Sequence, residues 1–308
     1  MNFRQLQCLC AVADADFNLS RAASALNVTQ PAISKQLRQL SDELGTDLLL
    51  RQSGRPVALT EEGKQALAWG RQVLQCMENI RVVTGKGASE ARSTIFLATS
   101  HTHASYLLLP AIVAFSCSFP SVQINVQLGT PNQVADLVRD GKATVGVTHL
   151  PEELPTEVVA AQFLSSPRLL ILPPGHALLK ERDLTLEKLA RYPLILQYSS
   201  RALGPRILRK FQQAELQVDV AVEALDADVI KNFVEAELGL GIIPAFAYSP
   251  AKDHQLRARN VGHLFDASES AVLLRRHSQL PKHVYQFLEV LDPALKPLRV
   301  EPMVLEGI

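Results

Sequence analysis

The stretch from Thr29 to Leu40 constrains this chain more than any other. Thr29 suits a helix N-cap, and Pro31 falls in the first turn, where its missing N–H costs little. Over a helix from Gln30 to about Leu40, Ile33, Leu37 and Leu40 share one apolar face. Gln30, Ser34, Lys35 and Arg38 point elsewhere. That second face is short, amide- and hydroxyl-bearing, and cationic, a set that can bond base edges and phosphates in a major groove. Just before it, Ser20 to Leu26 is Ala-rich, which permits close approach of another helix, and Asn27 can take the left-handed conformation at a helix end. Phe3, Leu6, Leu9, Cys10 and Val12 predict a first helix over about Asn2 to Asp14. Two short helices on a tight turn form a helix-turn-helix that presents its second helix to DNA.

Downstream, Leu48–Leu50 and Arg51–Leu59 predict two short strands around a Gly-containing turn. This is a wing, with Arg51 and Arg55 placed to reach phosphates. Thr60-Glu61-Glu62-Gly63 opens the next helix with a cap and acids in its first turn. No proline interrupts Glu61 to about Thr84. Ala66, Gly70, Val73, Met77 and Ile80 alternate steps of four and three, a coiled-coil stripe that Leu67 and Leu74 widen. Small residues at Ala66 and Gly70 would let a second copy approach closely; the alternative is packing against the chain's own first domain. Gly85 to Ser89 reads as a hinge.

Length and composition set the outer limits. A chain of 308 residues accommodates two or three structural units, and 47% apolar residues supply real cores. The 31 basic and 31 acidic residues cancel, so nucleic-acid binding needs a local cationic face. The start MNFRQLQCLC lacks the order of a secretory signal, and apolar runs such as Ile242–Ala247 are too short for a bilayer. A cytoplasmic protein with no membrane association is expected. Cys8, Cys10, Cys76 and Cys117 form no CxxC pair, and no His sits at zinc-finger spacing, so no metal is expected. The cysteines read as free, buried or half-buried small apolar residues, with a redox sensor as the alternative.

From Thr94 the pattern alternates between strand and helix. Strands are predicted at Thr94–Thr99, Val122–Leu128 (with alternating exposure), Ala143–Thr148, Pro167–Leu172, Leu194–Gln197, Val218–Ala224, Ile242–Ala247 and Ala271–Leu274. Helices are predicted from the end of the first strand to about Ser116, and at Pro131–Asp140, Pro205–Leu216, Asp228–Leu238 and Lys282–Leu291. Alternation argues for parallel α/β sheets, which bind ligands beyond the carboxyl ends of their strands. Those ends carry Ser100-His101-Thr102-His103, Gly129-Thr130, Thr148-His149 and Ser199-Ser200-Arg201-Ala202, and the helix near Asp226 follows another strand. Hydroxyls and backbone N–H groups at helix starts make oxyanion sites, although each alone is more often ordinary capping.

The residues from Phe3 to Gly63 resemble the LysR-type winged helix-turn-helix. The match runs through Ala22-Ala23, Leu26, Thr29–Ser34, Leu37, Leu40, Glu43, Leu44-Gly45, Leu48-Leu49, Arg51, Leu59-Thr60 and Gly63. The resemblance implies DNA contact by Gln30, Pro31, Ser34, Lys35 and Arg38, with Arg51 and Arg55 near the wing. Leu50 replaces a usual aromatic, a change expected to keep the burial. The remainder resembles the CysB-like branch of that family through Ala98–Ala104, Gly129–Pro131, Thr185–Leu196, Asp226–Lys231 and Gly239–Gly241. That resemblance implies two periplasmic-binding-protein-like lobes, tetramers, and control of sulfur-assimilation genes by sulfate-like anions or acetylated serine. Ser100, Thr102, His103, Thr148 and the Ala202 position correspond to its anion-binding loops. His103 stands for a glutamine and could supply a charged donor when protonated; Ala202 stands for a threonine, which removes one donor.

The expected architecture is α plus α/β: residues 1–60 a winged helix-turn-helix, 61–88 a linker and dimerisation helix, and 89–308 an effector-binding domain. Lobe I would hold about 93–162 and 268–300, lobe II about 163–267. The expected partners are double-stranded DNA, a second copy in dimers and tetramers, RNA polymerase, and an effector bound at Ser100, Thr102, His103, Thr130, Thr148, Ala202 and Asp226. No cofactor beyond that effector is expected; a sulfate-like anion, acetylserine or an organosulfur compound fits. A LysR-type regulator of another pathway is the near alternative. From other classes come a hydrolase built on Ser100, His101, His103 and Ser105, a transport binding protein, and an architectural DNA-binding protein. No GxSxG, Walker, HExxH or Rossmann pattern supports catalysis.

Overall fold

The structure is a computed structural model that describes residues 1–52, 55–83, 93–151, 153–197, 204–276, 278 and 280–299. Its first unit is α1 (Phe3–Asp14), α2 (Leu19–Ala25), α3 (Gln30–Leu44), the hairpin β1 (Leu49–Gln52) and β2 (Arg55–Leu59), and α4 (Glu61–Val83). Asn2 and Gln5 form a reciprocal capping box on α1. Asn27 closes the turn after α2 at φ 51°. Ile33, Leu37 and Leu40 are buried in one core with Leu9, Val12 and Leu48, each contributing about 1.5–3 kcal/mol of burial. Helix α3 runs one turn past Leu40 and stops where Gly45 takes the left-handed conformation at φ 70°. Thr29 occupies its N-cap position but makes no side-chain cap bond.

Two expectations change here. Leu50 is 51% exposed while Leu49 is buried, because successive residues of a strand face opposite sides. The expectation that Leu50 keeps a buried position is therefore corrected. The α4 stripe also does not run as one seam. Leu67 and Gly70 are buried, and a side chain at Gly70 would meet Leu6 of α1 at 3.4 Å. Ala66 and Leu74 pack on the same core, whereas Val73 faces outward. The small residues thus admit the chain's own first helix. The expected hinge lies outside the described residues.

The remainder forms two five-stranded sheets. The first, of order β4-β3-β5-β12-β6, unites β3 (Thr94–Thr99), β4 (Gln123–Leu128), β5 (Val145–His149), β6 (Val158–Ser166) and β12 (Ser268–Arg275). The helix after β3 begins with α5 (His101–His103), passes a π turn over Ala104–Leu108 and continues as α6 (Leu109–Ser118). With α7 (Pro131–Arg139) and α11 (Lys282–Leu291) it completes lobe I. The second sheet, of order β11-β7-β10-β8-β9, unites β7 (Arg168–Leu172), β8 (Leu194–Gln197), β9 (Val220–Ala224), β10 (Leu240–Pro244) and β11 (Arg257–Asn260). It carries α8 (Leu186–Leu189), α9 (Gly204–Gln213) and α10 (Ala227–Glu235) and makes lobe II.

Neither sheet is purely parallel. β12 runs antiparallel to β5 and β6, and β7 runs antiparallel to β10 and β11. The cause is the path of the chain, which leaves lobe I through β6, crosses at Pro167 into β7, and returns from lobe II into β12. The sequence reading omitted β6 and β11. It also gave β4 alternating exposure, whereas that edge strand is mostly exposed. Gly146 lies against Val134 and Val138 of α7, which marks one face of β5. The linker helix meets lobe I: the Arg71 guanidinium pairs with Asp14 and donates to the Asp140 carbonyl at 3.1 Å, and Arg275 lies 4.6 Å over the Trp69 ring. After α11 a 3-10 helix, Pro293–Arg299, buries Leu295 in the lobe I core. Cys8 and Cys10 are buried free thiols, and burial pushes Cys10 up to about 11; Cys117 is exposed, contrary to expectation. Among the described residues no helix is long and apolar enough to cross a membrane.

Candidate functional site

On the first unit, α3 presents Gln30, Pro31, Lys35 and Arg38 outward, with Ser34 half-buried at its edge. The apolar face that anchors α3 leaves these residues as its outer side. Arg51 is exposed on β1, and Arg55 opens β2 opposite Gln52, so both flank the hairpin turn. Thr60 accepts from the Gly63 N–H at 2.9 Å and donates to the Asp47 carbonyl at 2.7 Å, which ties the wing to the start of α4.

Between the lobes a second group of polar residues is buried. His103 has no exposed surface. Its Nδ1 lies 2.7 Å from Ser100 Oγ and its Nε2 2.9 Å from Ser270 Oγ. Burial lowers His103 to about 3, so the ring is neutral near pH 7. The expectation of a charged donor at His103 is therefore corrected. His149 stands edge-on to it, ring centroids 4.5 Å apart. His149 Nδ1 lies 2.7 Å from Ser268 Oγ, while its Nε2 has no partner among the described residues. Burial first, with the Arg168 and Arg206 guanidinium charges nearby, holds His149 well below the ordinary histidine value. Phe246 of lobe II covers both rings, at 5.3 Å and 6.3 Å. Its N–H donates to Ser166 Oγ at 3.3 Å.

Thr102 accepts from the Ala227 N–H at 3.3 Å, a bond that crosses from lobe I to the start of α10. Thr148 is buried and its hydroxyl has no partner, a state that costs about 1–3 kcal/mol. It pairs in register with Ala271, on the α7 face of the sheet, whereas His149 pairs with Ser270. A one-residue step thus separates Thr148 from the histidine cluster. Thr130 caps α7 through a reciprocal bond with Gln133, beside the β3 end, where the Gly129 N–H donates to the Thr99 carbonyl at 2.9 Å. Asp226 caps α10, its Oδ1 accepting from the Asp228 and Val229 N–H groups at 3.0 Å. Ala202 lies outside the described residues.

An ion cluster that the sequence reading missed stands beside this cap. Lys231 contacts Asp228 at 3.1 Å, Asp253 at 3.0 Å, the Ala247 carbonyl at 3.2 Å, and the Tyr106 hydroxyl. Tyr106 belongs to lobe I and donates to Asp228 of lobe II. Burial pulls the Lys231 ammonium down, but its bonds to Tyr106, Asp253 and Asp228 outweigh that and raise it. Asp228 is lowered overall: burial raises it, and Tyr106 and Lys231 more than compensate. His101 Nδ1 lies 3.7 Å from Asp226 and 3.6 Å from Asp228.

The Ser100–His103 contact does not make a hydrolase. The far nitrogen of His103 meets a serine rather than an orienting acid, and a ring titrating at about 3 is a poor base at neutral pH.

Similarity to known proteins covers both the first unit and the two lobes. Residues 3–64 match the family model described as a bacterial regulatory helix-turn-helix protein of the lysR family, and residues 88–296 match the LysR substrate binding domain. The chain belongs to the LysR family of transcriptional regulators. It is 33% identical to the HTH-type transcriptional regulator SsuR of Burkholderia cenocepacia over 308 residues, covering 100% of both chains. It is 35% identical to the regulator CysB of the same organism over 301 residues, covering 98% of this chain and 96% of the relative. Among solved structures, the cofactor-binding domain of the Cbl transcriptional regulator superposes with a TM-score of 0.64 at 30% identity, covering 71% of this chain and 98% of that one. Family membership places the chain among regulators, not enzymes.

Proposed function

We propose that this LysR-family protein is a cytoplasmic regulator of sulfur-metabolism genes, responding to a small anionic or sulfur-linked effector held between its lobes. The carrying observation is the buried, hydroxyl- and imidazole-lined group at the lobe junction, in a chain whose extensive relatives include CysB and SsuR. Residues 1–60 read DNA, 61–88 join and pair the heads, and 89–308 sense. Gln30, Pro31, Ser34, Lys35 and Arg38 meet the major groove, with Arg51 and Arg55 on flanking phosphates. Dimers or tetramers span paired half-sites, with RNA polymerase as a further partner, and no cofactor is needed beyond the effector. An effector that binds one lobe arrangement better than another shifts the population of that arrangement, and with it the spacing of the heads.

The test is thermal shift of the full chain against sulfate, thiosulfate, sulfite, O-acetylserine, N-acetylserine and aliphatic sulfonates. Binding to the native state raises the melting temperature with ligand concentration. A rise with at least one of these supports the sulfur link; no rise with any assigns the chain to another pathway within its family. Arg38→Ala separately tests the DNA face: operator affinity at matched salt should fall, and the salt slope should lose about one unit.

A further inference from the structure

Two histidines meet between the lobes, yet their nitrogens are spent differently. A neutral imidazole has two nitrogens, one donor and one acceptor. Both nitrogens of His103 are committed to serine hydroxyls, at 2.7 Å and 2.9 Å. His149 commits only Nδ1; its Nε2 is without a partner although the residue is 2% exposed. Buried polar atoms are nearly always satisfied, and an exception calls for a ligand, an ion or water. The surroundings favour an anion. Arg168 is buried close by, two residues beyond Ser166, which is the register partner of Ser268, and its charge acts on His149. Among the described residues Arg168 forms no salt bridge, and its one named hydrogen bond is a long 3.5 Å contact from Nε to the Asp266 carbonyl. Burial, with Arg206 nearby, lowers Arg168 to about 10 against the smaller opposing pull of Asp266 and Glu269, which still leaves it charged at neutral pH.

We propose that His149 Nε2 and the Arg168 guanidinium together hold the head of an oxyanion, and that His103 is a positioning residue that touches no ligand. The assignment rests on the lobe junction being the effector site. Donation from Nε2 requires a hydrogen there, so Nδ1 must accept; the Ser268 hydroxyl, 2.7 Å away, can donate to Nδ1 in that tautomer. His103 sets the other coordinate. It stands edge-on to His149 while joining Ser100 at the start of α5 to Ser270 on β12. His149 and Arg168 lie on opposite sides of the Pro167 crossing, so one oxyanion between them would bridge the two lobes.

Isothermal titration of the full chain with inorganic sulfate and thiosulfate tests this. His149→Asn keeps a polar atom near Ser268 and deletes Nε2; it should weaken binding about ten- to a hundredfold. Ser268→Ala removes the hydroxyl that can donate to Nδ1 and should weaken binding about tenfold, and it serves if His149→Asn fails to fold. His103→Ala should also weaken binding, with His103→Gln restoring it to within about threefold, because glutamine can bond a serine without an imidazole. Unchanged affinity in both His149→Asn and Ser268→Ala overturns the assignment. If Thr102→Val then loses binding, the lobe junction stands as the effector site; if Thr102→Val also binds normally, that reading falls too. No saturable heat from either anion with the unmodified protein overturns the oxyanion head.

Discussion

Two polar clusters join the lobes, and they are built on opposite terms. Around Lys231, three side chains and a carbonyl stand within bonding reach, two carboxylates balance the ammonium, and Tyr106 carries the network across from lobe I. Around His149, the rings are neutral, the nearby cation has no carboxylate in salt-bridge range among the described residues, and a ring nitrogen has no partner. A saturated network of this kind fixes one arrangement of its parts. An unsaturated one stores a cost that a ligand can relieve. One cluster thus holds the lobes together, and the other is where the proposed effector would bind.

The sharpest way to break this contrast is Lys231→Met. It leaves the buried Asp253 and the half-buried Asp228 without their cation and should cost about 3–5 kcal/mol in denaturant unfolding of the full chain. A loss below about 1 kcal/mol would show that the cluster is not what joins the lobes.

Acid titration of stability sharpens the other side. His103 is neutral when folded, down to about pH 3, but protonates near 6.5 once unfolded. The unfolded state therefore binds the extra proton below pH 6.5. This contribution is complete above 6.5 and lost progressively as pH falls towards 3, at about 1.4 kcal/mol per pH unit. His149 adds a loss of the same sign. His103→Gln should flatten the acid limb of the stability curve by one such slope, and an unchanged limb would mean that the ring is charged in the native state.

Two threonines give a smaller pair of opposite signs. Thr102→Val strands the Ala227 N–H and should destabilise by about 1–3 kcal/mol. Thr148→Val removes an unpartnered buried hydroxyl while keeping its shape, and should stabilise by about 1 kcal/mol. Loss of stability at both positions would mean that Thr148 has a partner, and would blur the division between satisfied and waiting groups.

Much of this was legible in the sequence because local rules carried it. The spacing of Ile33, Leu37 and Leu40, Asn27 in its turn and Pro31 in the first turn each act within a few residues, and the first unit follows them. The strand ends Ser100, Thr102 and His103 were also reachable from alternation alone. Other features depend on distant pairing. That His149 rather than Thr148 joins His103 follows from the antiparallel register with β12, whose start at Ser268 was hidden because the apolar run begins only at Ala271. Ser268 and Ser270 do stand two apart, a same-face spacing that could have extended the strand. Lys231 and Tyr106 gave no local hint of each other, since 125 residues separate them. Leu50 misled because an apolar residue was assumed to be buried.

Arg71 pairs with Asp14 of the DNA-reading unit and donates to the Asp140 carbonyl of lobe I, 69 residues away. One side chain is therefore joined to both the reader and lobe I of the sensor. Remove it, and each half would still work alone: the operator would be bound and the effector taken up. What would be lost is the correspondence between them, a fault that shows only when both are measured in the same tube.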